Sequence, residues 1–240
     1  NFLKNKYDVV IHLAAQAGVR YSISNPNKYF NSNLRGFFNI LNNVKANNIK
    51  HFIFASTSSV YGANNSFPLK ENLSTEKPLS FYAASKKANE VMAFSYSNIY
   101  KINITCLRFF TVYGEYGRPD MSLHGFVKSI INNKKINLFN NGNHERDFTY
   151  VGDVVKVIQK IINKPSNEAV PYQVFNVASG KPKTLKQFVS IIEKKLEKKA
   201  IINYMGLQKG DVIKTHADIS KIKKIINYTP QTNFNIGIDK

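Results

Sequence analysis

Three apolar runs limit what this chain can fold into: "DVVIHLAA" (8–15), "HFIFAST" (51–57) and "NITCLRFF" (103–110). The first is apolar without a break, as in a strand covered on both faces, and such strands belong to parallel sheets. Between the first two runs, residues 27–47 carry Phe30, Leu34, Phe37, Phe38 and Leu41 at helical spacing, and residues 80–100 read as a second helix. Strands alternating with helices predict βαβ units, hence an α/β fold with a doubly wound parallel sheet.

The pattern changes after Gly114. A helix is expected near 122–133, then two short strands around an Asn-Gly turn in "INLFNNGNHERDFTYV". A helix at 152–162, a strand at 172–178, a helix at 184–199 and a short strand near 200–204 follow. With no internal repeat and no long linker, we divide the chain into a sheet-bearing part, 1–120, and a smaller mixed α/β lobe, 121–240. The two are interleaved, because the strand near 172–178 returns to the sheet.

The chain has 240 residues, 43% of them hydrophobic, enough for a sizeable core. No apolar run approaches the roughly 18–20 residues that cross a bilayer, so no membrane partner is expected. The single cysteine, Cys106, excludes an intrachain disulfide and fits a reducing compartment, taken as the cytoplasm. A net charge of +19 raises the question of nucleic acid. The lysines are spread among asparagines with no basic stripe interleaved with aromatics, and "EKKLEKKA" (193–200) reads as a solvated helix face. Nucleic acid is therefore not the expected partner. No metal site is assigned.

The chemistry lies in "STSSVYG" (56–62) and "YAASK" (82–86). Tyr82 and Lys86 stand at i and i+4, on one face of a helix. Thr57 ends a strand, and ligands of parallel sheets bind at strand carboxyl ends. A free tyrosine has a pKa near 10, and a neighbouring ammonium favours its phenolate. A hydroxyl such as Thr57 then fixes the position of the oxygen that loses its proton.

The stretches "HLAAQAGVRYS", "NLRGFFNIL", "FASTSSVYG", "YAASKKANE", "LRFFTVYGEYGRPDM", "RDFTYVGDVV", "FNVASG" and "GDVIKTHADISK" run in order through nearly the whole chain. In them the chain resembles extended short-chain dehydrogenases/reductases, specifically the NAD-dependent nucleotide-sugar epimerase/dehydratase family. Within that family it is most similar to UDP-glucuronate 4-epimerases of the capsule-biosynthesis type. The resemblance implies a Rossmann-like fold, NAD as cofactor, Thr57, Tyr82 and Lys86 as catalytic triad, and a UDP-sugar as substrate. It implies that Ala14, Ala15 and Gln16 lie along the cofactor, that Asn33 holds their loop, and that Ser56 and Phe110 complete the cofactor contacts. Arg146 and Asp211 match positions that bind the uridine diphosphate. A homodimer through a four-helix interface containing the Tyr82 helix is likewise implied.

Dehydratases of the superfamily carry Asp-Glu, and UDP-glucuronate decarboxylases a Glu, where this chain has Ser58 and Ser59. Neither serine supplies an extra general acid, so elimination and decarboxylation are disfavoured. Arg20 and Arg118 are the candidates for a charged sugar, since a guanidinium matches a carboxylate. Ser58, Ser59 and Thr111 add hydrogen bonds. The implied reaction is inversion at C4 through a 4-keto sugar, with Tyr82 as base and NAD unchanged at the end. Two other readings stand beside it: an epimerase of a neutral UDP-hexose, or a non-catalytic remnant that binds a nucleotide sugar. The sequence opens with Asn1 and has no Gly-rich phosphate-binding turn. We therefore expect a fragment that starts at the family's fourth strand, stops before the final helix ends and holds NAD weakly by itself.

Overall fold

The computed structural model describes residues 6–208 and 211–240. Gly210, in the last family stretch, lies outside the described residues. The chain enters β1 (Val9–His12) and passes through α1 (Val19–Ser24), α2 (Pro26–Tyr29), a π-helical segment (Phe30–Arg35) and α3 (Gly36–Ala46). The predicted helix over 27–47 is thus present, with one wide turn in its middle. β2 (His51–Thr57) follows, then a 3-10 turn (Ser58–Tyr61), α4 (Phe81–Tyr100), β3 (Asn103–Phe109) and β4 (Thr111–Tyr113). The second half contains α5 (Ser122–Ile131), β5 (Lys135–Phe139), β6 (Glu145–Arg146), β7 (Phe148–Tyr150), α6 (Val151–Ile161) and β8 (Tyr172–Val177). It ends with β9 (Lys183–Thr184), α7 (Leu185–Leu196), β10 (Ile201–Met205), α8 (Ser220–Ile226) and α9 (Phe234–Asp239).

The main sheet runs β1-β2-β3-β8, with every pair parallel. Side chains alternate across it, as period two requires. On one face Phe52, Phe54, Ile104 and Cys106 meet Phe37, Leu41 and Val44 of α3 and Ala93 of α4. On the other, Ile53, Leu107, Phe175 and Val177 meet Val154, Val157 and Ile161 of α6 and Ile222 and Ile226 of α8. Helices cover both faces, so the expected doubly wound architecture is present. All seven residues of β2 are buried. β1 is less covered than its apolar run predicts, with Ile11 39% exposed at the edge of the described sheet.

The expected hairpin around Asn141-Gly142 does not form. Asn140, Asn141 and Gly142 take positive φ in succession, at 51°, 50° and 73°. A two-residue hairpin turn uses only two such positions, and the third sends the chain away from β5. β5 pairs in parallel with β10, β6 antiparallel with β9, and β7 in parallel with β4. Ile136 and Leu138 of β5 join Phe148, Phe188 and Ile192 in a second core, where Phe148 and Phe188 stack at 4.8 Å. Among the described residues no helix is long and apolar enough to cross a membrane.

Candidate active site

Three sequence-distant pieces meet at the carboxyl end of the sheet. β2 ends in Thr57, whose extended backbone starts the 3-10 turn; its Oγ1 accepts from the Ser59 N–H at 3.2 Å. Ser80 caps α4, accepting from the Ala83 N–H at 3.2 Å, and so sets Tyr82 in the first helical turn. Lys86 follows one turn later and donates to the Ala55 carbonyl at 2.9 Å, 3% exposed. The third piece is the loop after β1. Asn33 grips it from the π segment: its Oδ1 accepts from the Gln16 N–H at 2.8 Å, and its Nδ2 donates to the Gln16 carbonyl at 2.9 Å and to Ser85 at 3.0 Å.

Tyr82 opens into a cleft of about 830 Å³ that also contains Thr57, Phe110 and all seven residues expected to bind substrate. They fall into two ends. Around the phenol are Thr57, Ser58, Ser59 and Arg118, the last pairing its Nε with Asp120 Oδ1 at 3.0 Å and its Nη2 with Oδ2. At the other end Arg20 pairs with Asp211 at 3.3 Å and lies over the Phe139 ring at 4.7 Å. Arg146 there donates to the carbonyls of Glu145 at 2.9 Å and Ile213 at 3.0 Å.

Burial and two neighbours act on the ionisation of the phenol. Burial pushes the Tyr82 pKa up, against hydrogen bonding with Thr57 and the Arg118 charge, which pull it down. The Lys86 Nζ donates to the Ala55 carbonyl. Burial lowers the Lys86 pKa itself to about 8.

A profile of the "NAD dependent epimerase/dehydratase family" matches residues 1–178. The chain belongs to that family. Within it, Protein CapI of Staphylococcus aureus is 46% identical over 253 residues, which cover 100% of this chain and 76% of the relative. A probable UDP-glucuronate 4-epimerase of Rhizobium meliloti is 41% identical over 246 residues, 96% of this chain and 72% of the relative. The crystal structure of a UDP-glucuronic acid 4-epimerase from Bacillus cereus, in complex with UDP-glucuronic acid and NAD, superposes with a TM-score of 0.91 at 33% identity. That match covers 97% of this chain and 73% of the other.

The family's epimerases and dehydratases are NAD-dependent, and the residues here fit the nicotinamide end of that cofactor. Lys86 is a buried ammonium with three donors and one acceptor, the Ala55 carbonyl. Among the described residues no second acceptor is bonded to it, and the two remaining N–H groups suit a ribose diol. Ala14 and Ala15 are exposed at the strand end, where side chains of this size leave room for a flat ligand.

The Ser56 hydroxyl, expected among the cofactor contacts, is instead committed to Glu90 at 2.6 Å. It lies on the α4 side of the strand, with Phe52 and Phe54.

Several supporting residues carry no signal that pattern reading identifies. Tyr29, fully buried, donates to the Gly18 carbonyl at 2.6 Å and sets its ring edge-on to Tyr82 at 6.2 Å. Glu90 takes Ser56 and Arg108 together in the core. His144 lies buried in the wall of the cleft. Glu90 and Arg108 sit inside recognisable stretches, "YAASKKANE" and "LRFF", but only their pairing in space gives them a role.

Proposed function

We propose that the protein is an NAD-dependent UDP-glucuronate 4-epimerase, interconverting UDP-glucuronate and UDP-galacturonate in the cytoplasm. The observation that carries this reading is the environment of Tyr82: a Thr57 hydroxyl and the Arg118 charge act on the phenol, and the two residues that follow Thr57 along the cleft, Ser58 and Ser59, are not acids. One proton shuttle with no second acid supports reversible oxidation at a carbinol and not loss of water. Arg118 at the same end supports a sugar that carries a carboxylate.

When bound, NAD would supply a hydride acceptor and donor for the sugar carbon, and a cationic ring that favours phenolate. Thr57 holds the 4-hydroxyl against Tyr82, which removes its proton and, after the sugar has turned its other face, returns it to the 4-oxygen. Lys86, short of acceptors, orients the ribose. Arg118 exchanges Asp120 for the substrate carboxylate and holds it out of line with the 4-carbonyl. That clamp protects a β-keto acid from losing carbon dioxide. At the far end Arg146, Arg20 and Asp211 bind the uridine diphosphate, leaving the sugar free to turn over.

The Arg118–Asp120 pair also supports a second reading, in which Arg118 only shapes its loop and the sugar is a neutral hexose. Incubating the full-length protein with NAD and each UDP-sugar, with product analysis by NMR, separates the two. UDP-galacturonate from UDP-glucuronate is the expected product. UDP-galactose from UDP-glucose, with glucuronate untouched, defeats the first reading.

We also propose a homodimer. The helices that pack together around the site leave Phe30, Phe38 and Val91 at 54%, 45% and 57% exposure, an apolar cost that a second copy relieves. A monomer by analytical ultracentrifugation at micromolar concentration would overturn it.

A further inference from the structure

The backbone of Tyr82 is held firmly. Ser80 caps α4 two residues before it, and its carbonyl accepts from Ser85 Oγ at 2.8 Å, a hydroxyl that itself accepts from Asn33 at 3.0 Å. The side chain still has its χ1 and χ2 rotations, and proton transfer needs its hydroxyl in one place. Among the described residues, the ring in contact with that of Tyr82 is Tyr29. The two centroids lie 6.2 Å apart at 71°, the edge-to-face arrangement that aromatic pairs prefer.

Tyr29 is itself locked. It ends α2, a helix of four residues, too short to fix a side chain without outside contacts. It is fully buried, and its hydroxyl lies 2.6 Å from the Gly18 carbonyl and 2.9 Å from that of Ala17. A phenol has one proton to donate, so the two carbonyls share it. Tyr21 meets the same ring at 6.1 Å. Phenylalanine would satisfy the packing alone. The hydroxyl adds a tether to the loop after β1, which Asn33 grips one residue earlier at Gln16. The ring that faces Tyr82 is thereby tied to the loop expected to carry the cofactor.

We propose that Tyr29 is a positioning residue: its tethered ring holds the Tyr82 phenol in the orientation from which the proton moves. This rests on Tyr82 as the base in the reading above. Tyr29 does not line the cleft, so its effect reaches the substrate through Tyr82.

The test is a double-mutant cycle in the full-length protein with NAD. Thermal midpoints verify folding, calorimetry gives UDP affinity, and NMR follows turnover of whichever UDP-sugar the parent converts. A misplacement of about 1 Å costs on the order of 10²-fold in rate; with the Tyr82 backbone still held, Tyr29→Leu should lower kcat about tenfold and leave UDP affinity within about twofold. In the Tyr82→Phe background no phenol remains to orient, and the same substitution should change the residual rate by less than about twofold. Tyr29→Phe keeps the ring and loses the tether, and should lower kcat about threefold. A Tyr29→Leu rate equal to the parent's, or an equal loss in both backgrounds, overturns the proposal. If Tyr29→Leu does not fold, the cycle with Tyr29→Phe carries the test. A loss confined to the Tyr82 background then supports the proposal, and no loss, or the same loss in both, overturns it. Tyr82→Phe at the parent rate overturns the base assignment and this proposal together.

Discussion

The guanidinium of Arg108 closes on the Glu90 carboxylate with two parallel hydrogen bonds, Nε to Oε1 at 3.0 Å and Nη2 to Oε2 at 2.8 Å. Both side chains are 4% exposed. Ser56 donates to the same carboxylate, and Arg108 also reaches the Tyr61 hydroxyl at 3.0 Å and the Glu71 carbonyl at 3.1 Å. The pair ties α4 to β3 directly beneath the strand end that carries Thr57.

Arg108→Met should therefore destabilise the protein by about 3–5 kcal/mol, because it strands a buried carboxylate. Arg108→Met combined with Glu90→Leu should regain much of that loss, since replacing both charges removes the unpaired one. Urea unfolding of the parent and the two variants measures both effects. A single variant as stable as the parent would show that water reaches Glu90.

Tyr82→Phe should lower turnover by about 10²–10⁴-fold, the usual contribution of a general acid–base group. Its UDP affinity should remain near that of the parent, because the Arg146 end of the cleft is untouched. Steady-state assays and calorimetry on the same preparation test the two halves. A variant keeping a tenth of the parent rate would remove Tyr82 from the role of base.

Lys86 gives a pH signature. Its pKa falls from the ordinary 10.5 to about 8 in the folded protein. Between those values the unfolded chain binds more protons than the native one, so the Lys86 contribution to stability rises with pH from about 8 to about 10.5. Below pH 8 both states are protonated and the cost of burying the ammonium is present in full. Lys86→Met should be more stable than the parent at pH 7, with the difference shrinking toward pH 10. Unfolding midpoints at four pH values across that window follow it. A constant difference would mean that Lys86 keeps its proton.

Arg118→Ala should cost about 1.5–3 kcal/mol in UDP-glucuronate binding, the value of a charged hydrogen bond, and leave UDP-glucose binding little changed. It should also release carbon dioxide during turnover. Equal losses for both sugars, without carbon dioxide, would assign Arg118 to Asp120 alone.

Much of this was legible in the residues themselves. β2 and β3 were read as strands between helices, and each buries both faces. Tyr82, Lys86 and Thr57 were found because a helix's i, i+4 spacing and a strand's end are local features. The Asn-Gly turn misled, since β5 takes its partner from β10, whose Ile201 pairs with Lys135 across the whole of α7. No local pattern announces a partner so far along the chain. Arg118 facing Asp120 and Lys86 facing Ala55 likewise depend on which groups the fold brings within a few ångströms.

β8 pairs with β3 from Ile104↔Tyr172 through Phe109↔Val177, yet the chain builds α5, β5, β6, β7 and α6 between them. A ribosome therefore releases β3 with one flank bare and keeps it so until residue 177 has emerged. At roughly 5–20 residues per second, that interval lasts several seconds. Throughout it Cys106, Leu107 and their neighbours present an unpaired parallel edge. Parallel pairing over such a separation carries a large loop-closure cost and folds slowly. The arrival of β8 thus ends the exposure of the β3 edge to aggregation and to chaperones.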